Sequence, residues 1–92
     1  MKLEATAVFE ELSRRFVAVE IQLGLTFARV AAREYAEGKL DWGRKVRANA
    51  REAYAEAACR LQEGEARGWK TAALRDRLRA FREALDAIAS EA

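Results

Sequence analysis

The sequence contains no proline and no histidine, and it has a single cysteine, Cys59. Proline is the strongest helix breaker, so its absence from 92 residues favours helices throughout. Without histidine, the commonest general base and zinc ligand is missing. One cysteine cannot form an internal disulfide. These absences argue against a histidine-dependent enzyme, a zinc protein and a secreted disulfide scaffold.

Half of the residues are apolar, but many of these residues have small side chains. Of the 47 hydrophobic residues 21 are alanines, which leaves 26 larger apolar side chains to build a core. Charged residues make up 35% of the chain, enough to solvate the outer faces of helices. A chain of this length forms one domain, so residues 1–92 are expected to fold as a single helical unit.

The net charge and the apolar runs point to no membrane partner. The formal charge is +2, too small to imply a nucleic-acid or membrane partner by itself. The most apolar stretch, residues 16–32, is interrupted by Glu20 and Arg29, so it does not predict a membrane span. Acidic residues near the start also argue against a cleavable signal peptide. A cytoplasmic location is the resulting expectation.

Four glycines divide the chain into three segments with helical periodicity. Gly38 and Gly43 flank one predicted turn, and Gly64 and Gly68 flank the other. The segments at about 4–37, 41–62 and 70–90 are predicted to be helices, and short connections favour antiparallel neighbours. The fold class is therefore expected to be all-α, an antiparallel three-helix bundle with a long first helix. Whether that helix breaks at Gly24 is left open.

The first helix carries two apolar stripes. One stripe has the larger side chains and is predicted to face the bundle; it comprises Phe9, Leu12, Phe16, Val19, Leu23, Phe27 and Val30. The other is predicted to be an interface; it comprises Val17, Ile21, Leu25, Ala28 and Ala32. A helix that is apolar over most of its circumference needs more cover than two neighbours provide. The chain is therefore expected to form a homo-oligomer, most simply a dimer, or to bind a partner helix.

The other two helices have narrower apolar faces. The inward stripe of the second helix is predicted to comprise Trp42, Val46, Ala50, Ala53, Ala57 and Leu61. The seam of the third helix is predicted to comprise Leu74, Leu78, Phe81, Leu85 and Ile88. Small residues in the second helix permit close approach of a neighbouring backbone.

Glu20 and Cys59 are the two residues considered for a catalytic role. Glu20 falls within an apolar stripe, where a carboxylate needs an arginine or solvent. It is interpreted as a structural ion pair, with an acid–base role as the alternative. Cys59 lies off the apolar stripe of its helix and has no neighbouring base on the same face. No catalytic residue, cofactor or metal site is therefore predicted, and the chain is expected not to be an enzyme.

A basic cluster on the second helix supports an alternative function. Its candidate residues are Arg44, Lys45, Arg47 and Arg51, and residues 39–62 carry a local charge of +3. Such a face meets phosphates in nucleic-acid binders, although it is more often a solvated helix face. The alternative to an interaction module is therefore a binder of anionic ligands or nucleic acid.

Residues 27–57 resemble a tetratricopeptide-type helical hairpin. The matching positions are Phe27, Val30, Ala31, Gly38, Ala50, Tyr54 and Ala57. The resemblance covers one hairpin, and the proline that usually follows the second helix is absent. It implies an interaction module and carries over no peptide-binding residue. The wide apolar surface of residues 17–32, in a chain with no catalytic constellation, predicts a non-enzymatic protein–protein interaction or assembly module.

Overall fold

A computed structural model describes the backbone of residues 2–89 and the side chains of residues 7–88. Within this range the chain forms three helices: α1 (Lys2–Ala36), α2 (Leu40–Ala66) and α3 (Ala72–Ala89). Each helix packs against the other two. The predicted all-α three-helix bundle is confirmed, and the predicted end of the third helix at residue 90 lies outside the described residues.

The contacts between helices give their directions. Gly24 of α1 lies beside Ala53 of α2, and Glu20 lies beside Arg60, so the two helices run antiparallel. Glu65 lies beside Arg75, and Tyr54 lies beside Phe81, so α3 runs antiparallel to α2. It follows that α3 runs parallel to α1.

Both turns use the same backbone motif. Gly38 and Gly68 have φ values of +80° and +89°, a left-handed conformation that favours glycine. After α1, the Lys39 amide donates to the Glu34 carbonyl, and after α2 the Trp69 amide donates to the Gly64 carbonyl. These hydrogen bonds close a Schellman motif at each helix end. Only one glycine of each predicted pair is therefore a turn residue.

The molecule is a rod because α1 is much longer than its neighbours. The helices contain 35, 27 and 18 residues, and the principal extents are 55 × 17 × 15 Å. At about 1.5 Å per residue, α1 alone spans nearly the whole length. Because α3 runs parallel to α1 and begins only at Ala72, the N-terminal part of α1 extends beyond the start of α3.

The core confirms the predicted seam of α3 and most of that of α2. All five predicted residues of α3 are buried, with Phe81 fully inaccessible. In α2 the buried side chains include Val46, Ala50, Ala57 and Leu61. Trp42, predicted to point inward, is 56% exposed, and the buried position beside it is Gly43.

Candidate interaction surface

Six large apolar side chains are exposed along α1. Each keeps more than half of its surface accessible, and together they form what we call the α1 ridge: Val8, Phe9, Leu12, Phe16, Val19 and Leu23. From Phe9 onward the spacings are 3, 4, 3 and 4 residues, the heptad pattern of a helix-pairing seam. Monomeric proteins rarely expose a continuous apolar patch of this kind.

The predicted interface lies on the wrong face of α1. Of its residues, Val17, Ile21 and Ala28 are buried in the core, Leu25 is half-buried, and only Ala32 is exposed. The stripe predicted to face inward is largely the exposed ridge. Side-chain size explains why the two stripes of α1 exchange roles. The inner face of α2 is lined by alanines, so the two helices lie close together and the stripe with the smaller side chains packs between them.

Two rows of polar side chains border the ridge. We call one the α1 edge, and it comprises Glu11, Arg15, Gln22 and Arg29. We call the other the α2 edge, and it comprises Glu52, Glu56, Arg60, Glu63 and Arg67. The ridge and the α2 edge meet directly: the guanidinium of Arg60 lies 4.7 Å from the centroid of the Phe16 ring. Phe9 also shares a shallow cavity with Arg60, Glu63 and Arg67.

Glu20 lies at the boundary between α1 and α2, with its side chain 13% exposed. Its Oε1 atom is 3.9 Å from Arg60 Nε, and Arg60 also donates to Glu56 Oε1 at 2.8 Å. Desolvation raises the pKa of Glu20, and the neighbouring Glu56 carboxylate raises it further. The hydrogen bond from Arg60 lowers the pKa of Glu56. The ionised form of Glu20 is therefore less favourable than that of an exposed glutamate, and the ionised form of Glu56 is more favourable.

A second polar cluster connects the end of α2 to the start of α3. Glu65 Oε2 accepts hydrogen bonds from Thr71 Oγ1 at 2.7 Å and from Arg75 Nε at 2.8 Å. A second Arg75 nitrogen pairs with Glu65 Oε1, which makes the contact bidentate. The hydrogen bonds from Arg75 and Thr71 lower the pKa of Glu65 to about 2. This cluster fixes the second turn.

The structure divides the predicted basic face. Helical spacing places Arg44, Arg47 and Arg51 on one face of α2 and Lys45 on another. Arg44 lies 3.4 Å from Asp41, and Arg47 lies over the ring of Tyr35 at 5.6 Å.

Sequence reasoning missed the arginines of α3 that extend this face. The row of Arg47 and Arg51 continues to Tyr54, which lines a groove with Arg75, Leu78, Arg79 and Arg82. The arginine spacing of α3 was the available signal, but only the packing of α3 beside α2 shows that the two rows meet.

The lone thiol and the carboxylates form no metal cluster in the described part of the chain. Cys59 is exposed, and its sulfur lies 3.8 Å from Glu63 Oε1. Over residues 2–89, no three acidic or cysteine side chains gather closely enough to hold a metal ion.

None of the described helices has the length and apolar character needed to cross a membrane.

Comparison with known proteins identifies no relative. No protein-family model, curated protein or solved structure matches the chain.

Proposed function

We propose that this protein is a non-enzymatic assembly module that pairs with a second copy of itself through the α1 ridge. The observation that carries the proposal is the exposure of six large apolar side chains in one row of one helix. Heptad spacing suits the ridge to packing against another helix. The charged, solvent-exposed α1 edge and α2 edge on either side of the ridge resemble the polar rim of a protein interface.

The magnitude of the apolar effect is consistent with pairing. Complete burial of one large apolar side chain contributes roughly 1.5–3 kcal/mol. Since about half of each ridge side chain is already covered, each copy gains on the order of 5–9 kcal/mol on pairing. Two copies contribute twice that amount against an association cost of about 4–15 kcal/mol.

The test compares two exposed apolar positions. Val19 lies in the ridge and is 66% exposed, whereas Leu40 is 48% exposed at the first turn. Val19→Glu is expected to weaken self-association at least about tenfold, because each dimer loses two apolar contacts and gains two charges. Leu40→Glu is the matched control and is expected to leave self-association unchanged. Sedimentation equilibrium gives both dissociation constants, and equal values for the two variants would refute the proposal.

A binder of anionic ligands or nucleic acid is the second candidate. It is favoured by the groove in which Tyr54 lies among Arg75, Arg79 and Arg82, in line with Arg51 on α2. Stacking and phosphate contacts of this kind bind single strands without sequence preference. Salt-dependent binding of a single-stranded oligonucleotide, lost on Arg51→Glu and Arg82→Glu substitution, would support this function. Absence of binding at low salt would exclude it.

A further inference from the structure

We infer that two copies pair with their α1 helices parallel and in register, about a twofold axis that runs along the rod. The inference rests on the proposed function, because it specifies how the α1 ridge meets its own copy. It is carried by the charges of the two edges that border the ridge.

Cross-helix contacts determine which edge residues lie at the same height along the rod. Gly24 lies beside Ala53, and Phe16 lies beside Arg60. Continuing these antiparallel contacts toward the second turn places Arg15 at the height of Glu63 and Glu11 at the height of Arg67. The α1 edge and the α2 edge of one copy therefore carry opposite charges at these two heights.

A twofold axis along the rod brings the α1 edge of one copy to the α2 edge of the other at equal heights. Arg15 then meets the partner's Glu63, and Glu11 meets the partner's Arg67. Each pair occurs twice in a symmetric dimer, since the same patch serves on both subunits. The pairs lie at the rim, where opposite charges select the register of an interface.

An antiparallel pairing of the same ridges matches the charges less well. With the ridges centred on Phe16, the α1 edges face each other and the two copies of Arg15 lie close together. The α2 edges then meet only one another, and the pair that involves Glu11 is lost. Like charges in opposition disfavour this arrangement.

Disulfide trapping distinguishes the two arrangements in the full-length chain. All variants carry Cys59→Ser, which removes the exposed native thiol. In the parallel arrangement Val19→Cys meets its own copy across the axis, and Leu12→Cys does the same. Each is expected to oxidise to a disulfide dimer at least about tenfold faster than Glu83→Cys on the outer face of α3, because pairing raises the effective thiol concentration. In a refolded mixture, a disulfide between positions 12 and 19 would instead show the antiparallel arrangement and overturn the inference.

Charge exchange provides a second test. Arg15→Glu and Glu63→Arg are each expected to weaken the dimer about 5- to 30-fold, since two edge pairs become like-charged. The double variant restores opposite charges and is expected to return within about threefold of the native dissociation constant. Arg79→Glu on α3 is the matched control. Dimers that resist Arg15→Glu and trap no cysteine at positions 12 or 19 would overturn the inference, whereas a monomeric native chain would overturn the proposed function as well.

Discussion

The ring of Phe81 in α3 packs directly against the backbone of Gly24 in α1, so no side chain fits at that position. A Cβ atom at Gly24 would overlap the Phe81 ring and would lie 3.1 Å from the Ala53 Cβ atom. Phe81 is fully buried and has no room to retreat. Gly24 is thus a point where side chains of α2 and α3 both lie close to the backbone of α1, and α1 continues through it without a break.

Gly24→Ala is expected to destabilise the bundle. In an exposed helix this change would add about 1 kcal/mol through helix propensity. Here the new methyl group overpacks the core, so we expect the free energy of unfolding to fall by about 1–3 kcal/mol. Chemical denaturation measures the change. Combination with Phe81→Leu is expected to cost less than the sum of the single substitutions, and a Gly24→Ala protein more stable than the native one would contradict the packing.

Gly64→Ala is expected to displace the ring of Trp69. The ring lies against Gly64, where a Cβ atom would overlap it. In a Trp42→Phe background, fluorescence reports Trp69 alone, and we expect its emission to shift to longer wavelength as the ring gains solvent. Stability is expected to fall by about 1–3 kcal/mol. Gly68→Ala is the control, because it strains a left-handed turn residue but meets nothing within 4 Å; unchanged emission in Gly64→Ala would rule out this contact.

The sequence was sufficient to predict the helices and the seam of α3. In α3 a single narrow apolar stripe allows only one inward face. In α1 two apolar stripes compete, and the stripe predicted to be an interface is largely the one that packs inward. The row that packs inward contains Val17, Ile21, Gly24, Ala28 and Ala31, spaced by 4, 3, 4 and 3 residues. Its small members match the alanines of α2, and this match across helices was the missed signal.

The polar clusters were less predictable because they depend on contacts between helices. Glu20 was predicted to need an arginine, but spacing within α1 does not indicate Arg60 on α2. Glu65 and Arg75 lie ten residues apart on different helices, and only the second turn brings them together. The resemblance to a tetratricopeptide-type hairpin stays a prediction.

Glu65 is expected to stabilise the fold at neutral pH and to lose that effect in acid. Its pKa is lowered from 4.5 to about 2, so the folded state favours the ionised carboxylate. The stabilisation is therefore complete above about pH 4.5 and disappears as the pH falls through 2. Thermal unfolding of Glu65→Gln should show a lower midpoint than the native protein at pH 7 and a much smaller difference near pH 2.

Glu83→Gln is the control for this prediction, since it removes an exposed carboxylate on the outer face of α3. It is expected to leave the midpoint at pH 7 almost unchanged. A pH-independent difference between Glu65→Gln and the native protein would show that the bidentate contact with Arg75 contributes nothing through its charge.

Glu20 is expected to have the opposite pH dependence. Its pKa is raised by desolvation and by Glu56, so the folded state favours the protonated acid. The associated stability is present below the ordinary pKa and is lost as the pH rises through the raised value. Glu20→Gln removes the buried charge and supplies an amide donor toward the Glu56 carboxylate. We expect it to be more stable than the native protein at pH 7, by on the order of 1 kcal/mol, with the difference shrinking toward pH 4.

Equilibrium denaturation at both pH values measures this difference. A Glu20→Gln protein that is less stable than the native one at pH 7 would mean that the ion pair with Arg60 outweighs the desolvation of Glu20. Normal folding and self-association of this variant would also count against an acid–base role for Glu20.

The most direct test of the central claim is the solution mass of the unaltered chain, measured by sedimentation equilibrium from about 1 µM to 1 mM. Pairing through the α1 ridge predicts a concentration-dependent rise from the chain mass of 10.3 kDa to twice that value, with no larger species. A mass of 10.3 kDa at every concentration would contradict the account, because the α1 ridge would then face solvent in the free monomer.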